Sequence, residues 1–203
     1  MANEPVVHVI DDDEAARHSL AFLLECGGLR VQAHESAVAF LEVVPTMEHG
    51  CIVTDIRMPE MSGVELIGRL TALGVADPVI AITGHADVPL AIQAMKAGVA
   101  DFIEKPFSDD VILTAVHAAL ARKIDRDQAR VKRDRVVALL DTLSPREREV
   151  LDGLVEGRAN KVIAYDLDIS ARTVEVYRAN VMTKMQAGSL SELVRMVMIA
   201  RLA

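Results

Sequence analysis

Through its first 122 residues the chain repeats one unit: a short apolar run rich in β-branched residues, followed by a longer stretch with helical spacing. The runs cover residues 6–10, 29–34, 51–54, 79–82 and 102–104, and helical patterns begin near Glu14, Ser36, Gly63, Val88 and Ser108. This alternation leaves few architectures open. Strands joined through helices run parallel, and short strands that are apolar at nearly every position are buried from both sides. The expected fold is therefore α/β, with a doubly wound, five-stranded parallel sheet.

The ends of these runs carry the chemistry. The first ends in Asp11-Asp12-Asp13, the third meets Asp55, Thr83 closes the fourth, and Lys105-Pro106 follows the fifth. In a doubly wound sheet the carboxyl ends of neighbouring strands border the crevice where ligands bind. Clustered carboxylates repel one another unless a hard cation sits among them, and Mg²⁺ accepts a few carboxylate oxygens while keeping waters. One carboxylate can then act as nucleophile toward a phosphoryl group, whose oxygens need positive charge and donors. Asp55, a single acid at the end of a central strand, is the expected nucleophile. Asp11 and Asp12 would hold the metal, Lys105 would pair with the acyl phosphate, and Thr83 would bond to a phosphoryl oxygen. A cis bond before Pro106 would turn Lys105 inward. Each residue taken alone also has an ordinary reading, the Asp triplet as a loop or helix cap and Phe102 as a packed strand residue.

From Ser144 onward the pattern is wholly helical. Ser144-Pro145-Arg146-Glu147 combines a capping Ser, Pro at the first helical position and Glu three residues after the cap. Four helices are expected: from Ser144 to near Gly157, over 160–168, after Ser170, and over 191–202. Only a residue or two around Ile169 separates the middle pair, as in a helix-turn-helix. In the later helix of that pair Val174, Tyr177, Val181 and Met185 form an apolar stripe. Glu175, Val176, Ala179 and Thr183 lie opposite, with Arg178, Asn180 and Lys184 alongside. Groups of this kind suit thymine methyls, cytosine amines and phosphates; a four-helix protein-docking module with a solvated charged face fits the same periodicity. Residues 123–140 are charged, lack Pro and Gly, and read as a helical connector.

Charge divides the chain similarly. Residues 1–120 carry 6 basic and 18 acidic side chains, a net −12, whereas 121–143 stand at +3 and 144–203 at +1. The first part should favour cations and repel nucleic acid, and the remainder tolerates a polyanion better.

Val9-Ile10-Asp11-Asp12, the segment from Thr54 to Gly63, Ile82-Thr83-Gly84 and the segment from Phe102 to Phe107 together resemble the response-regulator receiver family over residues 4–122. The resemblance implies a flavodoxin-like receiver with strand order 2-1-3-4-5 and a phosphorylatable Asp55. It implies Mg²⁺ held by Asp12, Asp55 and the Arg57 carbonyl, and through water by Asp11, with Thr83 and Phe102 as a switch pair. The segment from Leu143 to Leu151, Asn160-Lys161, Ile163-Ala164, Ile169-Ser170 and the segment from Arg172 to Val181 resemble the LuxR-type helix-turn-helix. That likeness puts Glu175, Val176 and Ala179 in a DNA groove and Lys161, Thr173, Arg178 and Lys184 near the backbone. Tyr177 departs from the family's usual His, which removes any hydrogen bond that His makes. Both halves, through segments such as 82–85, 94–98, 101–107 and 163–170, are similar to the FixJ subfamily of nitrogen-fixation regulators. This implies a sensor histidine kinase of the oxygen-sensing FixL type, dimerisation through the fourth helix, fifth strand and fifth helix, and transcription activation with RNA polymerase. Paralogues of the same architecture govern other regulons.

Three further expectations follow. No apolar run reaches membrane-spanning length and the first residues do not form a signal-peptide core, so no membrane association and a cytoplasmic location are expected. Cys26 and Cys51 read as buried reduced thiols. A Mg²⁺-dependent phosphatase with an Asp nucleophile is a rival class, but it needs an acid two residues after the nucleophile, where this chain has Arg57. The chain is therefore expected to catalyse only phosphoryl transfer onto and off its own Asp55.

Overall fold

The computed structural model describes residues 5–84 and 88–201, without the side chains of 88–90. His85, Leu202 and Ala203, which figured in the sequence reading, lie outside the described residues. The chain divides into two compact units at Asp125/Arg126.

The first unit contains β1 (Val6–Ile10), α1 (Glu14–Cys26), β2 (Arg30–His34), α2 (Ala37–Val43), a 3-10 turn (Val44–Thr46) and β3 (Gly50–Asp55). It continues with α3 (Gly63–Ala72), β4 (Val79–Thr83), α4 (Val88–Ala97), β5 (Asp101–Glu104) and the start of α5 (Asp109–Asp141). The five strands form one parallel sheet in the order β2-β1-β3-β4-β5. The expected fold class and strand order are both realised. Every residue of β1, β3 and β4 is buried, because helices cover both faces. Strand alternation divides the core between those faces. Val7, Val9, Cys51, Val53, Ile80 and Ile82 pack against α1 and α5, whereas Ile10 and Ile52 pack with Phe40 of α2 and Leu66 and Leu70 of α3.

Two buried polar groups went unread in the sequence. Asp77, just before β4, accepts from the Gly50 N–H at 3.1 Å, pairs with Lys123 of α5 at 3.0 Å and lies 2.7 Å from His49 Nδ1. His8 of β1 is fully buried, with its Nε2 2.9 Å from the Glu48 carbonyl and its Nδ1 3.1 Å from His34 Nε2. A carbonyl only accepts, so a neutral His8 carries its proton on Nε2 and takes a hydrogen bond from His34 at Nδ1, whereas in acid a protonated His8 would repel a protonated His34. The cysteines divide: Cys51 is buried, and its burial pushes the thiol up to about 12, whereas Cys26 is exposed, contrary to expectation.

Helix α5 runs unbroken for 33 residues. The expected connector, 123–140, lies wholly within it. One face of its final turns is covered: Val136 is buried, and Leu139 and Leu140 pack on the core of the second unit. That unit adds α6 (Pro145–Val155), α7 (Asn160–Asp166), α8 (Ala171–Lys184) and α9 (Leu190–Arg201). Ser144 caps α6 as its sequence predicts, with the Glu147 carboxylate accepting from the Ser144 N–H at 2.7 Å.

The histidine pair makes stability pH-dependent. Burial, and then the charge of His8, lower the His34 pKa from 6.5 to about 4. A histidine that resists protonation only when folded contributes stability in full above its unfolded value, and this is lost as pH falls from about 6.5 toward 4. Partial solvent exposure of His34 moderates the loss. Urea unfolding at pH 7 and pH 4.5 should show a larger drop for the native chain than for His34→Gln, whose amide keeps the donated bond. Equal drops would remove the pair from the acid response.

Candidate functional site

The parallel register brings the ends of four strands level. Ile10 pairs with Thr54, Asp55 with Ile82, and Thr83 with Glu104, so Asp11, Asp55, Thr83 and Lys105 follow one another across the carboxyl edge. Gly63 closes the loop after β3 with its N–H on the Ile56 carbonyl at 2.9 Å. A Cβ there would stand 2.3 Å from the Asp55 carbonyl, so this turn requires glycine.

Asp11 and Asp55 are buried, at 5% and 8% exposure. The Lys105 ammonium lies between them, 2.8 Å from Asp11 Oδ2 and 2.9 Å from Asp55 Oδ1. The Lys105–Pro106 bond is cis. Burial of Lys105 opposes its charge, but the bonds to Asp11 and Asp55 outweigh it and hold the pKa above the usual lysine value. The second Asp55 oxygen accepts from the Arg57 N–H at 2.6 Å. Thr83 is fully buried at the end of β4, and its carbonyl accepts from the Lys105 N–H at 2.8 Å.

Phe102 is half-buried against Ile56, Ala81 and Ala94. It pairs with Ala81, two residues before Thr83, so Phe102 and Thr83 share a face of the sheet. The packed reading and the switch reading of Phe102 therefore concern one location.

Asp12 is exposed and lines an open groove of about 670 Å³ with Arg57, Ser62 and Glu65. Among the described residues no three acidic or imidazole groups converge as a ligand set. Donor type and charge nonetheless suit a hard divalent cation. Three carboxylates against one ammonium leave two negative charges, and carboxylate and carbonyl oxygens are the ligands such an ion takes.

In the second unit α7 and α8 are joined by residues 167–170, longer than the residue or two expected. Helix α7 ends at Asp166, because Asp168 adopts a left-handed conformation (φ 53°) and the Ile169 N–H returns to the Ala164 carbonyl. Val174, Val181 and Met185 are fully buried and Tyr177 packs beside them. Glu175, Val176, Ala179, Asn180 and Thr183 are exposed on the other side of α8. Lys161, Glu175 and Arg178 line one groove of about 530 Å³. Thr173 is half-buried, with its hydroxyl 2.7 Å from Ser170 Oγ.

Lys184, expected near the DNA backbone, is exposed and also pairs within the unit. Its ammonium bonds the Glu147 carboxylate at 2.7 Å and the Thr142 carbonyl at 3.2 Å, joining the end of α8 to the start of α6. The Lys184 bond, then the Ser144 N–H, hold the Glu147 pKa below the usual carboxylate range. Arg17 was also missed: its Nη1 donates to the Asp11 carbonyl at 2.7 Å. A cation near the start of a helix opposes the helix dipole, and that mismatch is the sequence signal for a specific partner.

Residues 7–117 match the family described as response regulator receiver domain, and residues 141–197 match bacterial regulatory proteins of the luxR family. The chain is 58% identical over 197 residues to the transcriptional regulatory protein FixJ of Azorhizobium caulinodans, covering 97% of this chain and 93% of that one. FixJ of Rhizobium meliloti is 55% identical, with 95% and 94% covered. Among solved structures, full-length FixJ from B. japonicum aligns over all of both chains with a TM-score of 0.63 and 47% identity.

The Glu147–Lys184 pair separates two roles for Lys184. Lys184→Met should lower the melting temperature while leaving the slope of log affinity for DNA against log salt unchanged. A lost phosphate contact would instead flatten that slope by about 0.9. DNA titrations between 50 and 200 mM salt, at temperatures where the variant is folded, would decide between them.

Proposed function

The chain belongs to the response-regulator family, joining a receiver domain to a LuxR-type DNA-binding domain, and from this premise we propose a phosphorylation-controlled transcription activator of the FixJ type. A receiver implies a sensor kinase as partner, and the luxR-family unit implies binding to duplex DNA. We assign residues 1–122 to the receiver, 123–140 to the connector and 141–203 to the DNA-binding domain. The observation that carries the reading is the buried Asp55 carboxylate, held at the end of β3 by Lys105 beside Thr83.

In the proposed reaction an Asp55 oxygen attacks the phosphorus of a phosphohistidine on a FixL-like kinase. The new P–O bond forms as the P–N bond breaks, and the imidazole leaves with the electron pair. Lys105 then exchanges its bond to Asp55 for one to a phosphoryl oxygen, and the Thr83 hydroxyl donates to another. Asp11, Asp12, Asp55 and the Arg57 carbonyl would hold Mg²⁺, which when bound offsets the charge of the transferring group. Movement of Thr83 toward the phosphoryl group opens space on the face it shares with Phe102. Arg57 stands where a hydrolase would need its second acid, which supports self-directed chemistry without turnover of outside substrates.

Receiver pairing follows in this reading. Ile92 and Met95 of α4 and Val111 of α5 are 47%, 56% and 48% exposed, which suits an apolar face completed by a second copy. Paired readers would favour a pseudo-palindromic site with half-sites about 10 bp apart. Glu175, Val176 and Ala179 would meet base edges, with Lys161, Thr173 and Arg178 at phosphates. Identity to FixJ supports control of nitrogen-fixation or microaerobic genes through RNA polymerase. Among the described residues no helix is long and apolar enough to cross a membrane, in keeping with a cytoplasmic role.

Light scattering on a sizing column, with Mg²⁺ and beryllofluoride as phosphoryl mimic, tests the central step. A monomer-to-dimer shift is expected for the native chain and none for Asp55→Asn. A shift in both, or in neither, would break the proposed link between Asp55 and pairing.

A further inference from the structure

The three acids after β1 have three different tasks. Asp13 caps α1, its Oδ1 accepting from the Ala16 N–H at 2.8 Å. Asp11 is buried, with Oδ2 on Lys105 and Oδ1 accepting from the Asp13 N–H at 3.0 Å. Asp12 is exposed and makes no cap, beside the groove. The final sheet bond of this strand runs from the Asp11 N–H to the His34 carbonyl at 3.3 Å. Beyond it the peptide linking Asp11 to Asp12 lies outside the strand, and its carbonyl accepts the Arg17 guanidinium at 2.7 Å.

We propose that Arg17 is a positioning residue for the cation site: by clamping the Asp11 carbonyl it fixes the plane of the Asp11–Asp12 peptide and so aims the Asp12 carboxylate. The inference rests on the reading of Asp11, Asp12 and Asp55 as Mg²⁺ ligands. With Asp11 anchored in the sheet, the direction of its carbonyl sets ψ of Asp11, and that torsion fixes where the Asp12 Cα and its side chain lie. A charged donor on a carbonyl is among the stronger hydrogen bonds and resists that rotation. Arg17 is itself anchored, because its backbone N–H bonds the Asp13 carbonyl at 2.9 Å in the first turn of α1. Cap, helix and guanidinium thus enclose the dipeptide that carries the two acids.

The charge of Arg17 acts in the opposite sense. A guanidinium near a cation site repels the cation, so a purely Coulombic Arg17 would weaken binding. Its removal then gives opposite signs under the two accounts. Positioning predicts looser Mg²⁺ binding, and charge alone predicts tighter.

Calorimetric titration of the full chain with MgCl₂ tests this without any phosphoryl donor. Arg17→Met should bind Mg²⁺ about tenfold more weakly than the native chain, the scale typical of residues that orient metal ligands. Arg17→Lys keeps the charge but offers a shorter, single-point donor, and should also bind more weakly. Unchanged or tighter binding by Arg17→Met overturns the proposal. Should circular dichroism show Arg17→Met unfolded, Arg17→Lys decides: weaker binding supports positioning, and native affinity overturns it. Asp12→Asn separates the underlying reading. If the native chain takes up no Mg²⁺, or Asp12→Asn binds as well as it does, the cation site itself is wrong and Arg17 has nothing to position.

Discussion

An ammonium held between two buried carboxylates is the contact on which the receiver site depends. Asp11 and Asp55 lie in a crevice where water screens poorly, and like charges about 4 Å apart repel by about 4 kcal/mol at an effective dielectric near 20. Lys105 offsets that repulsion, yet it is 94 and 50 residues away from its partners in sequence. No local structure could bring the three together. They meet because β1, β3, β4 and β5 run parallel in a register that pairs Ile10 with Thr54, Asp55 with Ile82 and Thr83 with Glu104. The apolar packing on both faces of the sheet fixes that register, since a slip of one residue would exchange the sides of every strand.

The periodicity of the apolar runs carried most of the fold into view, because strands buried on both faces leave an unmistakable composition. The acids and the lysine were legible for the same reason: a charged residue directly after a wholly apolar run has few places to be except the end of a strand. Side-chain reach was not legible. Nothing in the sequence indicates that Lys184 turns toward Glu147 when its position on an exposed helix equally suits a phosphate. Nor does the spacing of Asp77, His49 and Lys123 signal a buried hub, since each of the three reads alone as a surface residue. The end of α7 was misjudged because Asp168 occupies a left-handed conformation, which Asp tolerates but rarely advertises.

The triplet after β1 shows why acidic runs are hard to interpret. Asp13 is absorbed by helix capping, Asp11 by the lysine, and Asp12 lines the open groove. Three identical residues therefore acquire three environments from a turn of backbone barely longer than themselves. What distributes them is the start of α1 against the end of β1, so the local helix signal and the global sheet jointly settle which acid faces the groove.

Each unit closes a distant junction with a lysine, and the charge balance separates their roles. Glu147 and Lys184 neutralise one another, and the remaining valence of the carboxylate goes to the Ser144 backbone. A balanced, capped pair has no electrostatic reason to rearrange, which suits a fixed joint between α6 and α8. Lys105 lies between Asp11 and Asp55 at the other site, and one positive charge cannot satisfy two negatives. That deficit gives a cation and an incoming phosphoryl group something to act upon, and it leaves Lys105 with alternative partners of similar strength. The same side chain is thus a clasp in one setting and a movable contact in the other, and what differs is the number of carboxylates around it.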